Sequence, residues 1–460
     1  MSGSERQRAV VVGASMAGLL AARVLAEHFG EVEIVERDRL PDGPEFRSGV
    51  PQSRHAHVLL RSGLDVLDRL FPGFATDLES AGAVPLEPPR DMPWLNSAGW
   101  SGRFAAGLGF LASSRELTES LVRDRLRAIR NVSFRARSEV TGMITEHDRV
   151  SGLHIRARDG SPPDPSPATE LTADFVVDAS GRMSKVPQWL EQLGYDRPRE
   201  VTINSHLGYA SRVFRPPSRR FDWKGLLIGA TPEVPRGGGV FPLEGDRWMV
   251  TLGGYGRAVH PPIDEAGYME FMRNLRTPVL FQALEGAEPL GPIYGYARTE
   301  NIRRHYELLS RPVDRLVVVG DATCCFNPIY GQGMSVAGLA ALALGESLRK
   351  ASSGGLDGVA ASAQRAVASV CNDPWLMATG EDLRFATTEG GRDDTRRLDR
   401  AVQRYIQRVL LRSNQDVVVC RAFTRVVHLL DPPSALFRPN LMARVLMRGS
   451  HDKGQEPSAR

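Results

Sequence analysis

The chain has 460 residues, enough for two or three domains and a sizeable core. Hydrophobic residues make up 42% and charged residues 24%, a globular balance that excludes wholesale disorder. A formal charge of +4, from 58 basic and 54 acidic side chains, leaves room for an anionic small molecule but carries no nucleic-acid footprint.

The opening MSGSERQR runs directly into AVVV, with no room for the apolar centre of a signal peptide. Residues 9–12 form an unbroken apolar run, as in a strand buried on both faces. Gly13 ends it, SMAGLLAARVLAEHF follows at helical spacing, and VEIVE at 32–36 forms a second strand. This β–turn–α–β unit predicts a parallel mononucleotide-binding start. Residues 61–71 and 113–129 read as helices, the second with Ser113 and Ser114 as capping candidates and a Leu117, Leu121, Leu126 face. Between 132 and 179 three strand regions follow: VSFRAR, EVTGMITE to GLHIRAR, and ADFVVDA, with SPPDPSPA at 161–168 as a hairpin loop. From 200 to 260, VTINSHLGYASRVF, LLIGA and RWMVTLGGY predict a separate mixed sheet. LVVV at 316–319 returns to the buried-strand pattern, and a glycine-studded helix starts near 331.

The remainder, 355–448, has a mostly helical pattern, and the mixed-sign run Arg392–Arg397 reads as a solvated face. The longest apolar stretch, Met334 to Leu344, is too short to cross ~30 Å of hydrocarbon. Cys324, Cys325, Cys371 and Cys420 form no CxxC pair. These features predict a soluble, cytoplasmic protein with no membrane span and no nucleic-acid partner.

Chemistry concentrates in two glycine-rich turns. Gly13-Ala14-Ser15-Met16-Ala17-Gly18 is a GxSxxG variant of GxGxxG. Gly13 permits the tight turn, Ser15 stands where the backbone approaches a pyrophosphate, and Gly18 lets helix and strand pack closely. The N-terminus of the helix, at Met16 and Ala17, offers unpaired N–H groups to phosphates. Glu36 closes the second strand 18 residues after Gly18, where a carboxylate accepts ribose hydroxyls. Arg37 and Arg47 join this cofactor-binding set. The second turn, Leu316-Val317-Val318-Val319-Gly320-Asp321-Ala322, is followed by Asn327-Pro328-Ile329-Tyr330-Gly331-Gln332-Gly333-Met334. A helix opening there can stabilise negative charge.

Together these motifs resemble the FAD-dependent monooxygenases of the para-hydroxybenzoate hydroxylase fold. The resemblance implies that Asp321 bonds the ribityl chain and Pro328 lies beside the isoalloxazine ring. It also implies that Gly331 and Gly333 open a helix facing the pyrimidine edge. Arg115 resembles the arginine that reaches phosphate or ribityl oxygens, a surface arginine being the alternative. Val140 would bring its backbone to the adenine, a plain strand residue being the alternative. Phe175-Val176-Val177-Asp178-Ala179-Ser180-Gly181 resembles the family's DG motif with its pair split. In aromatic hydroxylases that motif is tied to FAD and NAD(P)H, so the electron source stays open between NAD(P)H and a separate flavin reductase.

The run Arg47-Ser48-Gly49-Val50-Pro51-Gln52-Ser53-Arg54-His55-Ala56-His57, with DPW at 373–375, GEDLR at 380–384 and DPPSALFRP at 431–439, resembles actinobacterial polyether (polyene) flavin epoxidases and, more distantly, squalene epoxidase. The resemblance implies an FAD-dependent monooxygenase that passes one oxygen atom from O2, through a flavin C4a-hydroperoxide, to a hydrophobic substrate. Alkene epoxidation and ring hydroxylation of a polyene, polyketide or aromatic secondary metabolite both fit. The rival readings are an FAD-dependent reductase or dehydrogenase and a non-catalytic FAD- or ligand-binding protein; a halogenase is disfavoured because no W-x-W-x-I-P segment occurs.

His55 and His57 have no third ligand nearby, so no metal is expected, and no catalytic side chain is assigned. Trp94, Trp100, Trp223, Phe241, Trp248 and Tyr255 are pocket candidates with core packing as the alternative.

The expected fold is α/β. A discontinuous Rossmann-like FAD-binding domain spans 1–85, 110–185 and 301–350. An inserted mixed β-sheet substrate domain spans 86–109 and 186–300, and 351–460 form a helical C-terminal region.

Overall fold

The computed structural model describes residues 7–158, 167–351, 355–390, 400–447 and 456–457. The apolar run after Arg8 becomes β1 (Arg8–Val12), and its side chains alternate between two cores. Ala9 and Val11 pack into one, Val10 and Val12 into the other. Every position is therefore apolar because both faces of the strand are covered. Four strands join it in parallel: β2 (Glu31–Val35), β3 (Val132–Arg135), β4 (Phe175–Asp178) and β5 (Leu316–Val318). Their spatial order is β5-β4-β1-β2-β3.

One face of this sheet carries α1 (Met16–Leu25), α2 (Arg61–Leu70), α3 (Arg115–Arg127), α4 (Gly333–Ala351) and α5 (Val359–Val370). Ser114 caps α3 by accepting from Leu117 N, whereas Ser113 bonds Thr118 instead. The other face packs on an antiparallel sheet of Ser138–Glu146, Arg149–Ala157 and Thr169–Thr172. Thus the middle region expected as one strand is a long hairpin, and TELT adds a strand that its short, polar sequence concealed. Most of the SPPDPSPA loop and all of Arg392–Arg397 lie outside the described residues.

A larger, mostly antiparallel sheet holds Leu207–Arg215, Arg247–Tyr255, Arg236–Leu243 and Leu226–Ile228, extended by Trp94–Asn96 and Gly99–Trp100. The expected single strand VTINSHLGYASRVF is broken. Arg199–Ile203 pairs with Asn301–His305 in a different sheet, while Leu207–Arg215 enters the large one. The break falls where Asn204 Oδ1 accepts His206 N at 2.8 Å and His206 takes φ +50°. Beyond α5 come α6 (Asn372–Asp382), α7 (Arg400–Ser413), α8 (Val417–Val427) and α9 (Pro439–Leu446). No described helix is long and apolar enough to cross a membrane.

Candidate cofactor and substrate site

At the end of β1 the chain turns at Gly13, whose φ is +101°. A Cβ there would stand 2.6 Å from the Ala179 carbonyl oxygen, so only glycine fits without a shift. Gly18 is equally confined, since a Cβ would lie 1.8 Å from the Gly13 carbonyl oxygen. The first intrahelical bond of α1 runs from Leu19 N to Ser15 O, which leaves the amides of Met16, Ala17 and Gly18 ahead of it. Ser15 occupies the N-cap without capping through its side chain; its hydroxyl accepts from Arg115 Nη2 at 2.8 Å.

Glu36 is buried and braces this turn, accepting Ala14 N at 2.7 Å and Asp38 N at 2.9 Å. Ser138 N reaches the Glu36 carbonyl at 2.9 Å, which sets the start of Val140's strand beside it. Val140 itself is buried at a bulge in that strand. Arg37 is exposed.

Arg47 and Arg115 are both buried, which removes the surface alternative for Arg115. They converge on Glu119, a residue the sequence reading did not select. Arg115 Nη2 lies 2.8 Å from Glu119, Arg47 donates to it, and Arg123 stands 3.9 Å away. Burial works to raise the Glu119 pKa, but Arg115 and Arg47 outweigh it and hold the carboxyl below the usual glutamate range. Arg47 Nη1 is buried and makes no hydrogen bond, the Glu36 carboxylate being 3.4 Å away. It is a donor without an acceptor, at the edge of an open helix N-terminus.

The second glycine turn lies against the first. Gly320 has φ +61°, and a Cβ on it would sit 2.6 Å from the Ala17 Cβ. Asp321 follows; burial raises its carboxyl above the ordinary range, opposed by Arg182. Asn327 Oδ1 accepts Ile329 N at 3.3 Å and starts the short turn Pro328–Tyr330, which ends on Gly331 at φ +64°. Pro328 and Gly333 are exposed, and nothing lies within 4 Å of a Cβ built on Gly333, so the first turn of α4 is open.

This loop is anchored from the C-terminal region, in the GEDLR run to which the sequence assigned no role. Fully buried Asp382, at the end of α6, accepts from Tyr330 Oη at 2.6 Å, Asn301 Nδ2 at 2.7 Å and Asn327 Nδ2 at 3.1 Å. Asp178, of the split motif, spends its buried carboxylate on its own turn, accepting Ser180 N at 3.1 Å and Ser184 Oγ at 2.6 Å. Gly181, at φ +84°, completes that turn.

Beyond the Pro328–Gln332 loop opens a cavity of about 1390 Å³. The large sheet supplies Tyr209, Gly237–Gly239, Phe241 and Tyr255, residues 52–60 form one side, and α6, α7 and α8 another. Of the aromatic candidates, Trp94, Phe241 and Tyr255 line this space. Trp223 and Trp248 instead stack on each other, 5.5 Å apart, and Trp100 packs against their core. His55 also lines the cavity, bonding Ser211 through Nδ1, while His57 Nδ1 bonds the His55 carbonyl at 3.0 Å. Desolvation chiefly lowers both imidazoles to about 4, with Arg54 and Arg115 adding to it at His55 and His57 respectively. Cys324, Cys325, Cys371 and Cys420 are all buried free thiols.

No protein-family model matches the chain. It is 36% identical over 405 residues to Protein Rv3254 of Mycobacterium tuberculosis, covering 84% of this chain and 83% of that one. A kynurenine 3-monooxygenase of Salinispora arenicola is 28% identical across 96% of this chain and 93% of its own. Among solved structures, the flavin-dependent brominase Bmp2 superposes with TM-score 0.69 at 14% identity, covering 95% of this chain and 96% of that one. The p-nitrophenol 4-monooxygenase PnpA of Pseudomonas putida gives 0.64 at 18%, over 93% and 99%. The chain belongs to the family of Protein Rv3254, built on the fold of flavin-dependent monooxygenases and halogenases.

Proposed function

We propose that this chain binds FAD and uses it, with O2, to insert one oxygen atom into a hydrophobic small molecule held in the cavity. The observation that carries this reading is the abutment of the two glycine turns, Gly320 against Ala17. It brings the open N-terminus of α1 against the turn that leads on to a second open helix N-terminus at Gly333. The residues fit the cofactor on several counts. Gly13 and Gly18 leave backbone exposed where no side chain fits. Arg47 carries a buried donor without an acceptor, and Arg115 reaches Ser15 beside the α1 amides. Glu36 has acceptor capacity left for ribose hydroxyls. Asp321 would hold the ribityl chain, Pro328 and Gly331 the ring side, and the strand of Val140 the adenine.

Bound FAD would supply oxygen activation and oxygen-atom transfer. The protein's part is placement. The open first turn of α4 favours negative charge beside it. The apolar part of the cavity lining, Phe241 and Leu227 among it, would limit water at the reacting centre. The Asp382 network holds the Asn327–Tyr330 loop at one end of that space. The 47–57 run supports an alkene of polyene or polyketide origin as substrate, with epoxidation as the outcome; an electron-rich ring, hydroxylated, is the neighbouring case. A separate flavin reductase or NAD(P)H would supply electrons in a cytoplasmic setting.

The test is direct. Purified protein should be yellow, and oxygen uptake should rise with a polyene or phenolic substrate once the flavin is reduced. Stopped-flow reduction by NADPH, with and without a flavin reductase, identifies the donor. Protein that takes up no FAD sinks the proposal. Flavin turnover without oxygen incorporation would favour a reductase. The likeness to brominase Bmp2 motivates a second reading, in which bromide or chloride enters the product; halide-dependent mass shifts in the product would select it.

A further inference from the structure

His55 comes from the RxGVPQxRHxH run, and nothing in cofactor binding accounts for its chemistry. Its ring lines the cavity between Tyr209 and Tyr296, whose ring centres lie 6.2 and 5.5 Å from its own. Nδ1 is 2.8 Å from Ser211 Oγ, and Ser211 Oγ is 2.8 Å from Thr251 Oγ1. Ser211 is fully buried. The far end of the chain meets a group that can only donate, the Ala56 backbone N–H, 3.4 Å from Thr251 Oγ1.

Two directions satisfy these distances. In one, Thr251 accepts from Ala56 and donates to Ser211, Ser211 donates to His55, and Nδ1 accepts. In the other, Nδ1 holds the proton and the Thr251 hydroxyl, which also lines the cavity, is left to donate there. Burial and the nearby Arg54 keep the imidazole neutral near pH 7. In the first direction its single ring proton sits on Nε2, which bonds no described residue. The lining of the cavity as a whole is largely apolar, Met92, Phe110, Leu227 and Phe241 among it.

We propose that the Nε2–H of His55 is the hydrogen-bond donor that positions the substrate, so that the cavity selects an extended apolar molecule bearing a carbonyl or ether oxygen. This rests on the reading of the cavity as the substrate site. A donor in an apolar wall discriminates sharply, because a ligand without the matching oxygen leaves it unpaired.

The test uses two tricyclic probes that differ by one carbonyl, 9-fluorenone and fluorene, titrated calorimetrically into full-length protein whose flavin content is measured separately. Wild type should bind fluorenone roughly tenfold more tightly than fluorene. His55→Phe should bring the two affinities together, and His55→Gln, which retains a donor, should keep part of the gap. Ser211→Ala frees Nδ1 to hold the proton, so the gap should narrow a few-fold even if the Phe variant does not fold. Equal binding by wild type, no binding of either probe, or a gap that survives His55→Phe would overturn the assignment. A gap that depends on His55 in protein devoid of FAD would sink the cofactor reading and leave this one standing.

Discussion

The two ends of the site are built on opposite terms. At the proposed cofactor end, backbone packs against backbone or against the smallest side chain. Gly13, Gly18 and Gly320 each stand where an added carbon would lie within 2.6 Å of a neighbouring atom, and buried charges are matched in a single cluster around Glu119. At the cavity end, side chains from the large sheet, residues 52–60 and three C-terminal helices enclose about 1390 Å³. The first arrangement admits few sequences. The second admits many, and small changes in it redirect choice without touching the fold.

The strongest test of that contrast is Gly13→Val. A side chain aimed at the Ala179 carbonyl should cut flavin content per protein more than tenfold, read from flavin absorbance after desalting. Full occupancy would mean that the cofactor end is no tighter than the cavity. Next comes Glu119→Gln, which leaves Arg47, Arg115 and Arg123 buried around a neutral amide. Urea unfolding at pH 7 should show a loss of about 3 kcal/mol. Because the folded carboxyl is held below the usual glutamate range, its contribution is complete above that range and fades as the pH falls through the depressed folded value. The gap between wild type and variant should therefore close on acidification; a gap independent of pH would assign the loss to packing alone.

Asp382→Asn probes the junction of the two ends. It weakens the bonds from Tyr330, Asn301 and Asn327, and about 1–3 kcal/mol of stability should go with them. Flavin content should fall less than in Gly13→Val, since the α1 turn is untouched. Smallest of all is Arg37→Ala. Its exposed side chain predicts a stability change within about 0.5 kcal/mol. A large loss of flavin in this variant would show that Arg37 folds onto the cofactor.

The same contrast explains what could be read in advance. The βαβ start and the Gly320–Gly333 loop are legible because their chemistry is carried by backbone geometry, which writes itself as glycines at set spacings. Glu119 was within reach, since Arg115, Glu119 and Arg123 fall four residues apart on one face of α3. Such a ladder reads as a solvated face, and only the fold shows that it is buried. Asp382 stands in the GEDLR run, but its role left no signal, because its partners Asn327 and Asn301 lie 55 and 81 positions away and meet it only in three dimensions. The break at Asn204–His206 was hidden for a local reason. A single left-handed residue between two apolar runs looks like a strand unless the asparagine's bond to the next amide but one is foreseen.

The order of the central sheet has a consequence for how the chain is made. β1 precedes the other four strands of its sheet in the chain, yet it lies in the middle, and the edge beyond β4 is filled only by β5 at Leu316–Val318. Until then β4 exposes an unpaired edge, and the α4 and α5 helices that cover Ala9 and Val11 do not yet exist. Between β4 and β5 the chain adds the strands of the large sheet from Leu207 to Tyr255 while the central sheet stays half-covered. Slow closure through distant contacts is the expected kinetic signature, and the wait for β5 is when aggregation or chaperone capture would strike.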